Sequence, residues 1–169
     1  MEELLREGLL RLSGKTDQHL FELAQAMGGG KTHLMSALGL LAKYPDQRAG
    51  VIPPDVLKRL DGKAARVVVF DGRDSPEHYL WGEIAKQLGS EEAMRPFWQN
   101  GPKAPGKEHW KEIIGDRPTL ILFDELPPYF LEARTVTVGK GSLVDVLTRA
   151  LSNLFVASQE LPYCCVVSL

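Results

Sequence analysis

The chain lacks most of the features that mark specialised protein classes. It has two cysteines in 169 residues, and they are neighbours, Cys164 and Cys165. An adjacent pair inside an apolar run builds no disulfide framework and has no metal-ligand spacing. On a strand the two side chains point to opposite faces, so both are expected to be small buried groups. A reducing, cytoplasmic setting fits them. Neither charge is in excess: 20 Lys and Arg stand against 22 Asp and Glu, a net charge of −2. That argues against a general nucleic-acid-binding surface, which carries a basic excess. No apolar run approaches the ~20 residues of a membrane-spanning helix. The opening MEELLREGLLRL is acidic and amphipathic, unlike a secretory signal. Trp81, Trp98 and Trp110 are scattered, which suits packing better than a base-stacking platform. No internal repeat or low-complexity tract is present.

What is present is an ordinary globular composition, 44% hydrophobic and 25% charged, with enough length for one domain and a proper core. Leu5, Leu9 and Leu12 recur at helical spacing over residues 2–12, and SGKTDQ then reads as a turn. HLFELAQ (19–25) suits a short buried strand, broken by three glycines. Leu34, Leu38 and Leu41 form the stripe of a helix that stops before Pro45. Residues 45–64 read as a loop with a short helix near 55–60. RVVVFDG (66–72) and TLILFDE (119–125) are apolar runs of the kind found in buried parallel strands. Between them, Ser75 and Pro76 read as the cap and first residue of a helix striped by Leu80, Ile84 and Leu88 and ended by Gly89. Residues 90–106 look like a loop, KEHWKEIIG like a short helix, and GKG (139–141) like a mobile loop. A helix from Ser142 to about Ser158 leads to a last strand, YCCVVSL.

Four strands alternate with three intervening helices, which predicts a parallel sheet covered by helices. The expected order places HLFELAQ beside both TLILFDE and YCCVVSL, with RVVVFDG outside. Four short strands leave two edges, a liability if further strands are missing. The last strand has nothing after it, so the chain is expected to be the N-terminal part of a longer protein, a single core over 1–169 with a helix and turn at 1–17.

Gly-Lys-Thr occurs twice, at 14–16 and 30–32. The first follows a helix and reads as a helix-ending turn. The second follows a strand and opens a strongly apolar helix, the context in which backbone N–H groups cradle phosphate. There Gly28, Gly29 and Gly30 give the backbone freedom to approach phosphate oxygens. Lys31 is expected to reach the β- and γ-phosphates and Thr32 to hold Mg²⁺. The first glycine of the usual G-x-x-x-x-G-K-[ST] pattern is replaced by Gln25. Asp124, ending an apolar strand, is placed to hold the Mg²⁺ water shell, and Glu125 to activate the attacking water. His33, first on the helix after Thr32, is either a phosphate neighbour or a surface histidine. Asp71 reads as a turn former. No arginine has an evident place beside the phosphates: Arg66 and Arg117 precede strands, Arg134 lies in a loop and Arg149 within a helix.

GGGKTH, LWGEIAKQLG, APGKE and ILFDELPPYF together resemble the N-terminal ATPase region of a large, poorly characterised family of AAA+-type P-loop ATPases. That family is known mainly as a domain of unknown function, often encoded near DNA-modification or phage-defence genes. The likeness runs from about residue 5 to 169. It implies a three-layer P-loop sandwich with a parallel sheet, an ASCE/AAA+-like core truncated after its fourth core strand. It implies that Gly28, Gly29, Gly30, Lys31 and Thr32 form the Walker A loop, and Asp124 and Glu125 the Walker B acids. ATP and Mg²⁺ are then the ligands, and hydrolysis in the full-length assembly drives a conformational task. A homo-oligomer and DNA-linked partners, through regions beyond this chain, are expected, and no membrane. The helical lid and arginine finger of such enzymes are absent, so the chain alone is expected to turn ATP over slowly. Ser168 falls where related ATPases place a γ-phosphate sensor; a plain strand serine is the other reading. A nucleotide switch without turnover, a small-molecule kinase and a DNA translocase remain as alternatives.

Overall fold

The computed structural model describes residues 2–24 and 30–168. In chain order the elements are α1 (Glu2–Leu12), β1 (Leu20–Glu22), α2 (Lys31–Lys43), α3 (Pro54–Leu57), β2 (Arg66–Asp71), α4 (Tyr79–Gln87), α5 (Glu91–Met94), α6 (Lys107–Ile114), β3 (Thr119–Asp124), α7 (Leu126–Ala133), β4 (Thr137–Val138), β5 (Gly141–Ser142), α8 (Leu143–Glu160) and β6 (Cys164–Ser168). Four strands form one parallel sheet in the order β1-β6-β3-β2, and β4 and β5 form a separate hairpin.

Period-two alternation sorts the strand side chains into two cores. Val68, Phe70, Ile121, Phe123, Cys164 and Val166 face a layer built from α4, α6, α7 and α8. Leu120, Leu122, Cys165 and Val167 face the opposite layer, α1 and α2. The chain is therefore an α/β fold with helices on both faces of a parallel sheet. The adjacent cysteines divide between the two cores, and burial holds both thiols protonated: Cys164 is pushed up to about 12 and Cys165 is also raised.

The strand order differs from the sequence expectation. β6, not β1, is the strand beside β3, and β1 lies outside β6 at the edge. The physical reason lies in how apolar each strand is. Cys164, Cys165, Val166 and Val167 are all fully buried, which only an interior slot provides. β1 has three residues, of which only Phe21 is buried, and it takes the edge.

Two buried arginines fasten the frame. The Arg11 guanidinium, 3% exposed, donates to the carbonyls of Cys164, Thr16, Ser158, Gln159 and Leu161. It thereby ties α1 to the C-terminal turn of α8 and the start of β6. Arg48 does the same for α2, donating to Leu41 O at 2.8 Å and Lys63 O at 2.9 Å. Carbonyls left over at a helix C-terminus need donors, and the helix dipole favours a cation there.

Other local expectations are corrected. Residues 126–133, assigned no element from the sequence, form α7; Pro127 and Pro128 fall in its first turn, where proline is accepted. Helix α4 starts at Tyr79, not Pro76, and Ser75 caps nothing there. Tyr79 has φ 61, outside helical backbone. Residues 90–106 contain α5 and a 3-10 turn, and GKG is the tip of the β4–β5 hairpin. The long helix starts where expected: Ser142 and Asp145 form a reciprocal capping box.

Candidate functional site

Because the main strands are parallel, their carboxyl ends share one edge of the fold. Asp71 ends β2, Asp124 ends β3 in register with it, and Ser168 ends β6. Helix α2, which follows β1 in the chain, starts at the same edge. Gln25, Gly28 and Gly29 lie outside the described residues. Gly30 is described and adopts φ 72, ψ 20 directly before α2. A Cβ there would meet nothing within 4 Å, so the glycine answers to the left-handed backbone rather than to crowding. Its carbonyl accepts the Leu34 N–H at 3.0 Å, which starts the helix.

Lys31 is the first residue of α2 and is half-buried; Thr32 and His33 are exposed. The Thr32 hydroxyl donates to Asp124 Oδ2 at 3.0 Å, a contact 92 residues apart in sequence. Asp124 shares the parity of Leu120 and Leu122, the α2 face of the sheet, which is why the two meet across β6. Ser168 shares the parity of Cys164 and Val166 and so starts out on the opposite face.

Glu125 follows in the left-handed conformation, φ 55, ψ 38, as the N-cap of α7. That backbone is uncommon for a residue with a side chain and is retained only where its surroundings fix it. Gly72 supplies those surroundings. Its N–H donates to Asp124 O at 2.8 Å, and a Cβ on it would sit 2.0 Å from Glu125 O and 3.0 Å from Tyr129 Cβ. The next residue, Arg73, pairs with the Glu125 carboxylate at 3.4 Å. Sequence reasoning missed both residues. A lone arginine in a polar turn carries no signal; only the spatial meeting of the β2 and β3 ends reveals it. Behind them Tyr129 is buried against Phe70, ring centroids 5.1 Å apart, and burial pushes its hydroxyl up to about 12.

Thr32 and Asp124 offer one hydroxyl and one carboxylate oxygen side by side. This hard-oxygen pair suits Mg²⁺, which keeps several waters and takes few protein ligands. Among the described residues no cluster of three or more His, Cys, Asp or Glu could hold a metal by itself. A cleft lined by Asp71, Asp74, His78, Glu83 and Lys86 lies on the outer side of β2 and does not reach Thr32.

The other Gly-Lys-Thr is settled locally. Gly14, φ 66, sits at the end of α1, with Gly14 N–H to Arg11 O and Lys15 N–H to Leu10 O. This is the bonding of a Schellman helix end. Arg66 donates to Ile114 O and Thr119 Oγ1 at the amino ends of the strands, away from this edge.

Among the described residues no helix is long and apolar enough to cross a membrane. Compared with protein-family models, with curated proteins and with solved structures, the chain matches none.

Proposed function

We propose that the chain is a P-loop nucleotide-binding domain that takes Mg·ATP at the carboxyl edge of its sheet and supports ATP hydrolysis. The observation that carries this reading is the 3.0 Å contact between Thr32 and Asp124. A threonine directly after Gly-Lys at a helix start meets an acid at the end of a buried parallel strand, the two partners a nucleotide-bound Mg²⁺ requires.

The residues divide the work by chemistry. Backbone N–H groups at the start of α2 point towards the phosphates, and the helix dipole adds positive potential there. Lys31 contributes a full charge to the phosphate oxygens. Thr32 and Asp124 hold Mg²⁺, which neutralises charge on the phosphates. Glu125 takes the proton of the attacking water, a general-base role. Its carboxylate is paired with Arg73, so that pair has to open or shift for Glu125 to act. The same ion pair favours a second reading, a nucleotide-dependent switch in which ATP binds and turnover is withheld. The task driven, linked by the resemblance to DNA modification or phage defence, belongs to partners of this domain.

The test compares ATP titrations with and without Mg²⁺ for the wild type and Asp124→Asn. The wild type should bind ATP more tightly with Mg²⁺, and the variant should keep only the metal-free affinity. A variant that still responds fully to Mg²⁺ would overturn the assignment.

A further inference from the structure

The stretch Leu80–Gly89 takes no part in the proposed nucleotide site, and packing explains most of it. Leu80, Trp81, Ile84 and Ala85 are fully buried, and Trp81 Nε1 donates to Phe97 O at 3.1 Å. A Cβ on Gly82 would lie 2.4 Å from His78 Cβ. Packing does not explain Gln87, which is exposed at the end of α4.

Gln87 reaches back to β2, an edge strand of the sheet. Bonds from β2 to β3 use its even-numbered residues: Arg66 N–H donates to Pro118 O and Gly72 N–H to Asp124 O, both at 2.8 Å. Odd-numbered residues therefore turn their backbone groups outward. At Val69, the middle outward residue, both groups are occupied. Its N–H donates to Gln87 Oε1 at 2.9 Å, and Gln87 Nε2 donates to its carbonyl at 2.7 Å. The amide does for Val69 what a neighbouring strand would do. The second hydrogen on Nε2 goes to Glu83 Oε1 at 2.9 Å, one turn earlier on α4, which fixes the amide's orientation. The Asp71 carbonyl is taken by Asp74 N–H at 3.1 Å.

The edge so covered is apt for strand pairing. It reads Arg-Val-Val-Val-Phe-Asp, and the Val69 side chain is 49% exposed. A β-branched edge with open backbone groups is a template for another strand. A copy of itself fits: a two-fold antiparallel pair centred on Val69 sets Val69 against Val69 and Val67 against Asp71, every one of them an outward residue. We infer that Gln87, oriented by Glu83, is an edge-sealing residue that prevents β2 from pairing with β2 of a second copy of this chain. This inference does not depend on nucleotide binding.

The test is sedimentation velocity over a concentration series, with amide hydrogen exchange at Val69. Gln87→Ala and Gln87→Met, the latter keeping the stem, should both raise the weight-average mass with concentration towards twice the wild-type value. In dilute variant the Val69 amide should exchange about tenfold faster or more, the factor for one lost hydrogen bond, and regain protection at high concentration. Adding Val69→Lys sets two ammonium groups face to face in the self-pair and should return the mass to the wild-type value. Circular dichroism checks that each variant is folded. The inference is overturned if folded variants sediment as the wild type does at every concentration, if Val69→Lys leaves their association intact, or if the dilute Val69 amide stays protected.

Discussion

Replacing Arg11 by alanine should be among the most damaging single changes in the chain. Five bonds leave the guanidinium, four of them at 3.0 Å or less: to Cys164 O, Thr16 O, Ser158 O and Leu161 O. The fifth, to Gln159 O, is longer at 3.3 Å. The bonds to Cys164 O and Ser158 O are buried, and water cannot replace the donor there. Each buried carbonyl left unpaired costs about 1–3 kcal/mol. Two of them, with the lost dipole interaction at the end of α8, give a destabilisation of ~3–5 kcal/mol. A chain of this length has roughly 8–25 kcal/mol in total, so the loss is a large fraction without forcing complete unfolding. Arg11→Lys keeps the charge but loses the planar fork and should fall between. Equilibrium urea unfolding is the assay, with the midpoint lowered and the slope unchanged. A loss below ~1 kcal/mol, the range of ordinary surface substitutions, would refute the claim that Arg11 ties α1 to the α8–β6 corner.

The remaining expectations follow from the same contacts. Glu125→Gln should leave Mg·ATP affinity unchanged and cut any turnover by roughly 10²–10⁴, the span for loss of a general base; single-turnover kinetics reads both. Gly72→Ala should destabilise the fold and weaken the site together, because its Cβ would sit 2.0 Å from Glu125 O; thermal melting with and without Mg·ATP checks the pairing of the two effects. Burial and the Arg11 charge lower the pKa of His19. Below its unfolded value the unfolded chain takes up a proton that the folded chain resists, so this part of the stability is present above ~6.5 and lost as pH falls. His19→Gln should flatten that acid-side loss in pH-dependent urea midpoints.

Legibility in the sequence followed burial. β2, β3 and β6 could be read because strands of a parallel sheet covered by helices on both faces carry apolar side chains on both, leaving runs such as VVVF, LILF and CCVV, although β2 lies at an edge. Their order was misread, with HLFELAQ placed centrally, because apolar strands carry no mark of who pairs with whom and only three residues of that stretch form strand. Helix α7 was not read, because its start depends on the left-handed backbone of Glu125, which the sequence does not display. At the candidate site, the meeting of Thr32 at the start of α2 with Asp124 at the end of β3 was legible because strand and helix context surrounds a glycine run. Gly72 and Arg73 were not, since their roles come from a meeting of two loop ends. Gln87 sat in a quoted motif, but its reach to Val69 depends on how α4 lies along the edge.

The most direct measurement is isothermal titration of Mg·ATP into the wild-type chain, Lys31→Ala and Lys15→Ala. A charge-assisted phosphate contact contributes roughly 1.5–3 kcal/mol, so Lys31→Ala should weaken binding about tenfold or more. Lys15 follows the Schellman turn that ends α1, and its replacement should leave affinity unchanged. A wild-type chain that does not bind Mg·ATP, or equal losses in the two variants, would contradict the assignment of the nucleotide site to Lys31, Thr32 and Asp124.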